Sequence, residues 1–162
     1  PSGWTLVGQT PGTLTTITTA VYSKVATASD AGSTVTVATP GSPHATVQLV
    51  AYSGTNGSTP VLTSAQSSGT NSSTLTSPTV SIGAGGTWVV SYYAAKSSTV
   101  TGWTVPSSQT TRDSDNGTGS GRINSVVADS GAPVAAGSAG GIAATTDQSY
   151  GGADSWTVVL TP

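Results

Sequence analysis

Few side chains in this chain can do chemistry. One histidine (His44), six aspartates (Asp30, Asp113, Asp115, Asp129, Asp147, Asp154), two lysines (Lys24, Lys96) and two arginines (Arg112, Arg122) carry all its ionisable charge near neutrality, and Cys, Met, Phe and Glu are absent. Serine hydrolysis needs a base held by an acid. His44 stands in "GSPHATV" with no aspartate near it in sequence, and no G-x-S-x-G turn occurs. A glycosidase needs a carboxylate pair facing across a cleft, whereas Asp113 and Asp115 lie on one side of a single loop. Thiol chemistry has no thiol. These residues predict a protein that is not an enzyme.

Two bound groups remain to be weighed. "RDSDNGTGSG" brings Asp113, Asp115 and Asn116 together with glycine-rich backbone, an oxygen set of the kind calcium takes, but without a closing Glu. Calcium at Asp113 and Asp115 is thus the one cofactor suggested; otherwise none is expected. An intramolecular amide between a lysine and an Asn or Asp could draw only on Lys24 or Lys96, and the Glu that would shuttle its protons is missing. Sugar binding is better served. Aromatic faces flanked by short polar side chains suit pyranose rings. Trp103 lies at a loop–strand junction and is the expected exposed platform, with Tyr93 and Tyr150 as further platforms. Arg112, Asp113, Gln109 and Asn124 would supply hydrogen bonds. Three sequons, at Asn56, Asn71 and Asn116, fall in expected loops and are candidates for glycosylation.

The elements that must position these residues are strands. Charged residues make up only 6% of the 162 residues, Ser, Thr and Gly are abundant, and the helix-favouring Glu and Met are missing. Alternation of period two recurs at "GWTLVG", "ITTAVYSKVA", "STVTVAT", "HATVQLVAYSG", "PTVSI", "TWVVSYYA", "GRINSVVAD" and "DSWTVVLTP". It is weaker at "GWTVP", "QTTRD" and "GGIAATT", and "SDAGS" reads as a short helical turn. Connectors at 39–42, 53–60, 83–86, 115–121 and 137–141 carry turn residues, and 63–77 reads as a long loop or frayed edge strand. In "GTWVVSYY", Trp88, Val90 and Tyr92 share the core-seeking face, leaving Tyr93 beside Ser91 toward solvent. Trp156 is expected inward with Val158 and Leu160, Trp4 inward with Leu6, and Val35 with Val37. Eight to eleven such strands at near-regular spacing predict one all-β domain over 1–162, an antiparallel β-sandwich of jelly-roll type.

The motifs "GWTLVG", "VYSKVATASDAGSTVTV", "TVQLVAYSGT", "WVVSYYAAKSSTVTGWTVP", "GTGSGRINSVVADSGAPV" and "WTVVL", in this order, resemble a Ser/Thr/Gly-rich β-sandwich domain of secreted actinobacterial proteins and of actinobacteriophage tail and fibre proteins. The resemblance covers nearly the whole chain. It implies an extracellular, cell-surface or virion location and an adhesive or structural role, with no catalytic residues to carry over. Members of that group have strand sequence ahead of the "GWTLV" element, so the abrupt start implies a sandwich short of one or two N-terminal strands, with a groove open to a strand from a neighbouring subunit.

Charge narrows the partners. With four basic residues and a net charge of −2, the chain lacks a phosphate-tracking stripe, so nucleic acid is not expected. No apolar run is long enough to span a bilayer as a helix, so membrane insertion is not expected either. Strand edges without charges are open to pairing, which makes self-association or neighbouring subunits of an assembly the expected partners. The functional expectation is a structural or adhesive module of a surface fibre, filament or virion appendage, with recognition of glycans as the alternative.

Overall fold

Runs such as "WVVSYYAA" and "SWTVVL" set β-branched and aromatic residues on a pleated backbone, where they pack across strands rather than along a helix. The computed structural model describes residues 1–12, 17–39, 41 and 44–162; the expected turn at 39–42 lies partly outside them. The protein is an all-β fold of antiparallel sheets in a sandwich. Its central sheet has five strands in the order β3-β12-β6-β9-β8, with β3 Val61–Gly69, β6 Trp88–Ser97, β8 Thr110–Asn116, β9 Arg122–Asp129 and β12 Gly152–Leu160. Trp156 lies opposite Tyr92 on one side and Gln66 on the other, and Val158 opposite Val90.

This sheet is covered on both faces. Every residue of β12 is buried, as are Asn124 to Asp129 of β9, the pattern of a strand with no solvent side. On the inner face lie β4 (Ser72–Thr76), β11 (Ala143–Tyr150) and β7 (Trp103–Thr104), in the order β4-β11-β7. Between them and the central sheet, Leu75, Tyr93, Val126, Ala144, Tyr150 and Ala153 form the main core. The pair β5 (Val80–Ile82) and β10 (Gly137–Ala139) continues this layer, linked to β4 and β11 through Ser77 N–H to Ile142 O at 2.9 Å and Gly141 N–H to Ser77 O at 3.1 Å.

The outer face is covered by described residues that precede β3. The hairpin of β1 (Thr5–Gln9) and β2 (Ala20–Ser23) and the residues around Val50 and Tyr52 lie there, with a 3-10 turn at Ala28–Asp30 between them in sequence. Val21, Val50 and Tyr52 pack on Val127, Trp156, Val158 and Leu160, and Trp88 and Tyr92 are half-buried among them.

The layers exchange strands at a corner. Chain crosses from the central sheet to the inner layer between β3 and β4, and back between β11 and β12, while the ladder continues from Gly69–Ala153 to Ser72–Tyr150. Gly69 sits where the bend is tightest: a Cβ there would come 2.9 Å from Leu75 Cδ1 and 3.2 Å from the Tyr150 hydroxyl. Gly69→Ala is expected to cost about 1–2 kcal/mol through this overpacking. Thermal unfolding should register a fall of roughly 3–6 °C in Tm; an unchanged Tm would mean the corner has slack.

Several sequence expectations are corrected. Of the two readings of segment 63–77, the edge strand holds and the loop does not: it supplies most of β3, an edge strand paired along its length with β12, and all of β4. Tyr93 does not turn to solvent; it is fully buried between the layers, because the face opposite Trp88 is also a core face. Leu6 is 51% exposed while Trp4 is half-buried, so they do not enter a core together. Residues 33–39 and 44–52 form no ladder, and Val35 is exposed beside a half-buried Val37. The reason for 44–52 is position. Val50 and Tyr52 of the segment pack on the outer face of the central sheet, and no described strand pairs with it. Trp156, Val158 and Leu160 are buried as their alternation predicts.

Candidate functional site

The aromatic residues expected to hold a sugar are gathered by the fold, but inside it. Trp103 opens β7 and donates its indole N–H to Asn124 O at 3.0 Å. Its ring lies 5.6 Å from Tyr93 and 6.0 Å from Tyr150, tilted against both. Tyr93 and Tyr150 are buried, their hydroxyls donating to Ile142 O and Thr74 O, each at 2.8 Å. Burial pushes both phenols above their ordinary pKa. The expectation of open platforms is therefore corrected: Tyr93 and Tyr150 are core, and half-buried Trp103 caps them. Asn124 is buried beneath, its amide donating to Val100 O at 3.2 Å.

The polar candidates separate. Arg112 and Asp113 are neighbours in β8, but a bulge between Thr111 and Asp113 turns Arg112 to the outer face. There its guanidinium grips Asp129 through Nε at 2.5 Å and Nη2 at 3.0 Å. Asp129 is wholly buried and also accepts from the Tyr52 hydroxyl at 3.0 Å and Gly131 N–H at 2.9 Å. Burial pushes its carboxyl up, yet the bonds from Arg112, Gly131 and Tyr52 outweigh that and leave it below the usual carboxylate range. Burial beside this carboxylate raises the Tyr52 phenol. An open trough of about 720 Å³ runs past this cluster, lined by Leu49, Tyr52, Trp88, Arg112, Pro133 and Pro162 among others. Since Asp129 neutralises Arg112, the trough has aromatic and polar surface but little net charge.

Asp113 and Asp115 sit within strand β8 rather than in the glycine-rich loop expected of them, half-buried and exposed respectively. Asp115 accepts a hydrogen bond from Thr46 Oγ1. Among the described residues, no three His, Cys, Asp or Glu side chains gather to hold a metal. Asn56, Asn71 and Asn116 are all exposed. Asn56 Oδ1 accepts from Ser58 N–H and Thr59 N–H at 2.9 Å, and Asn71 takes φ of +51° at the β3–β4 corner. Gln109 is half-buried, His44 is exposed, and Lys24 pairs with Asp30, chiefly through which the Asp30 carboxyl falls to about 2.

Like Asp129, a second buried carboxylate escaped the sequence reading. Asp154, in the middle of the corner-to-core run "GADSW", accepts from Thr10 Oγ1 at 2.6 Å, Ser68 Oγ at 2.6 Å and Thr19 Oγ1 at 3.2 Å. The Trp156 indole donates to the same Thr19 hydroxyl at 2.8 Å. An aspartate inside a run destined for burial was the available signal; the threonines that meet it lie more than 130 positions away. Asp129 and Asp154 thus pin the covering segment to the central sheet from two sides.

Fold and clusters together define an all-β sandwich whose N-terminal segment is a third layer, tied down through buried aspartates. No protein-family model, curated protein or solved structure matches the chain.

Proposed function

We propose that this chain is a non-enzymatic, extracellular structural module that associates with itself or with neighbouring subunits in a fibre, filament or virion appendage, acting without a cofactor. The observation that carries this reading is where its apolar surface lies. Among the described residues, the exposed large hydrophobic side chains are Leu6, Tyr22, Val25, Val35, Val47, Leu49 and Leu62, all within the first 62 positions. Scattered exposed apolar residues are ordinary, but six of these seven precede β3 and the seventh, Leu62, lies on that edge strand, and such confinement to one part of the chain marks an interaction face. The interleaved order of the sheets, with consecutive strands crossing between layers, supports the jelly-roll reading. The resemblance to secreted actinobacterial and phage fibre domains supports the location.

Light scattering on the purified chain across a wide concentration range tests the proposal. Mass should rise above that of one chain as concentration rises; one constant mass of about 16 kDa, from a chain of 15.7 kDa, would overturn it. Glycan recognition is the second reading, and the trough beside Tyr52, Trp88 and Arg112 favours it over the Trp103 region. Saturable retention of an oligosaccharide by a monomeric chain would select that reading instead.

A further inference from the structure

Residues 44–52 hold strand geometry without a strand's partners. Their burial alternates residue by residue: Thr46, Gln48, Val50 and Tyr52 are half-buried toward the central sheet, while Ala45, Val47, Leu49 and Ala51 face out. The outward row is the more apolar one, with Val47 62% and Leu49 60% exposed. Side chains fix the segment in place at both ends, through Thr46 to Asp115 and Tyr52 to Asp129. Its backbone makes no backbone hydrogen bond to any described residue. A pinned, extended, unpaired segment is a template for strand addition.

We infer that residues 44–52 are the pairing strand between two copies of this chain, joined antiparallel about a two-fold axis at Gln48. This rests on the self-association reading and names its surface. The argument for a second copy is that the segment complements itself. Reversed about Gln48, Val47 of each copy meets Leu49 of the other, Ala45 meets Ala51, and Thr46 meets Val50. Large meets large and small meets small in the outward row, the match that an isologous contact requires. Charge opposes nothing, because no Asp, Glu, Lys or Arg occurs between Ala31 and Ala95. Natural edges are usually guarded by such charges; here the guard is missing over the most exposed apolar row.

The absence of cysteine makes the register testable in the intact chain. Val47→Cys and Leu49→Cys proteins are mixed and mildly oxidised. Directly opposed positions lie about 4.5–5.5 Å apart, within disulfide reach, whereas each cysteine's own copy lies on the diagonal. The mixture should yield severalfold more disulfide-linked dimer than either variant alone. Separately, Val47→Lys/Leu49→Lys sets like charges opposite each other, and should weaken association at least tenfold with the same circular dichroism as the parent. Oligomers that survive the lysines and give no excess mixed disulfide would overturn this pairing while leaving self-association standing. A monomeric parent chain would overturn both.

Discussion

Tyr93→Ala is expected to lower the stability of the chain by about 3–5 kcal/mol, the range for deleting a buried aromatic ring. Tyr93 is wholly buried, with Trp103 against one side and the hydroxyl bonded to Ile142 O at 2.8 Å. Truncation opens a cavity where β6, β7 and β11 meet and leaves that carbonyl without its donor. For a chain of this size the loss corresponds to roughly 10–15 °C in Tm. Tyr93→Phe keeps the ring and removes only the hydrogen bond, so about 1 kcal/mol should go. The pair of variants separates packing from polar satisfaction. Thermal and denaturant unfolding give the measurement. A loss below about 1 kcal/mol for the alanine variant would mean that the ring is free to reach solvent, as a sugar platform would be.

That reversal shows what alternation conveys. Period two placed Tyr93 opposite Trp88, correctly, and Trp156 in line with Val158 and Leu160, also correctly. It could not reveal that both faces of β6 are covered, because a covering layer comes from residues far away in the chain. Hydroxyls hid the inner layer for a related reason. Segment 63–77 has little apolar content, yet Ser67 meets the Ser155 hydroxyl at 2.8 Å and Ser68 donates to Asp154 at 2.6 Å. Part of this core is made of hydroxyl pairs, and a search for apolar residues passes over them. For 44–52 the alternation was legible and the ladder was not, since a ladder depends on a second backbone.

The candidate site divides the same way. Trp103 was picked out as the aromatic at a junction, and it does sit at one, but the two buried tyrosines it caps are ten and forty-seven positions away. Arg112 was named as a hydrogen-bonding group for a sugar and Tyr52 stood only within the strand pattern "HATVQLVAYSG"; that both converge on Asp129 follows from a bulge in β8 and from the path of the outer segment. Electrostatic partners are few in so uncharged a chain, which makes each buried one more consequential.

Removing the Asp129 carboxylate should therefore loosen the whole outer layer at its Tyr52 end. Asp129→Ala is expected to cost about 3 kcal/mol near neutral pH, at the low end for breaking a buried ion pair because Arg112 can still turn to water. That is roughly 6–12 °C in Tm. The pH dependence fixes the cause. The native carboxyl titrates below its ordinary value, so folding releases its proton more readily than the unfolded chain does. Its contribution is then fully present above the unfolded carboxylate pKa, about 4, and fades as pH falls through the lower native value. The Tm gap between parent and Asp129→Ala should be constant from pH 7 to about pH 5 and narrow steadily below pH 4. Asp30 also protonates in that range, but equally in both proteins, so the difference isolates Asp129. Amide hydrogen exchange should quicken at Gly131, which loses its acceptor, and stay unchanged at Thr19 beside the other pin. A gap that persists undiminished to pH 2 would show that Asp129 acts through its shape and not through its charge.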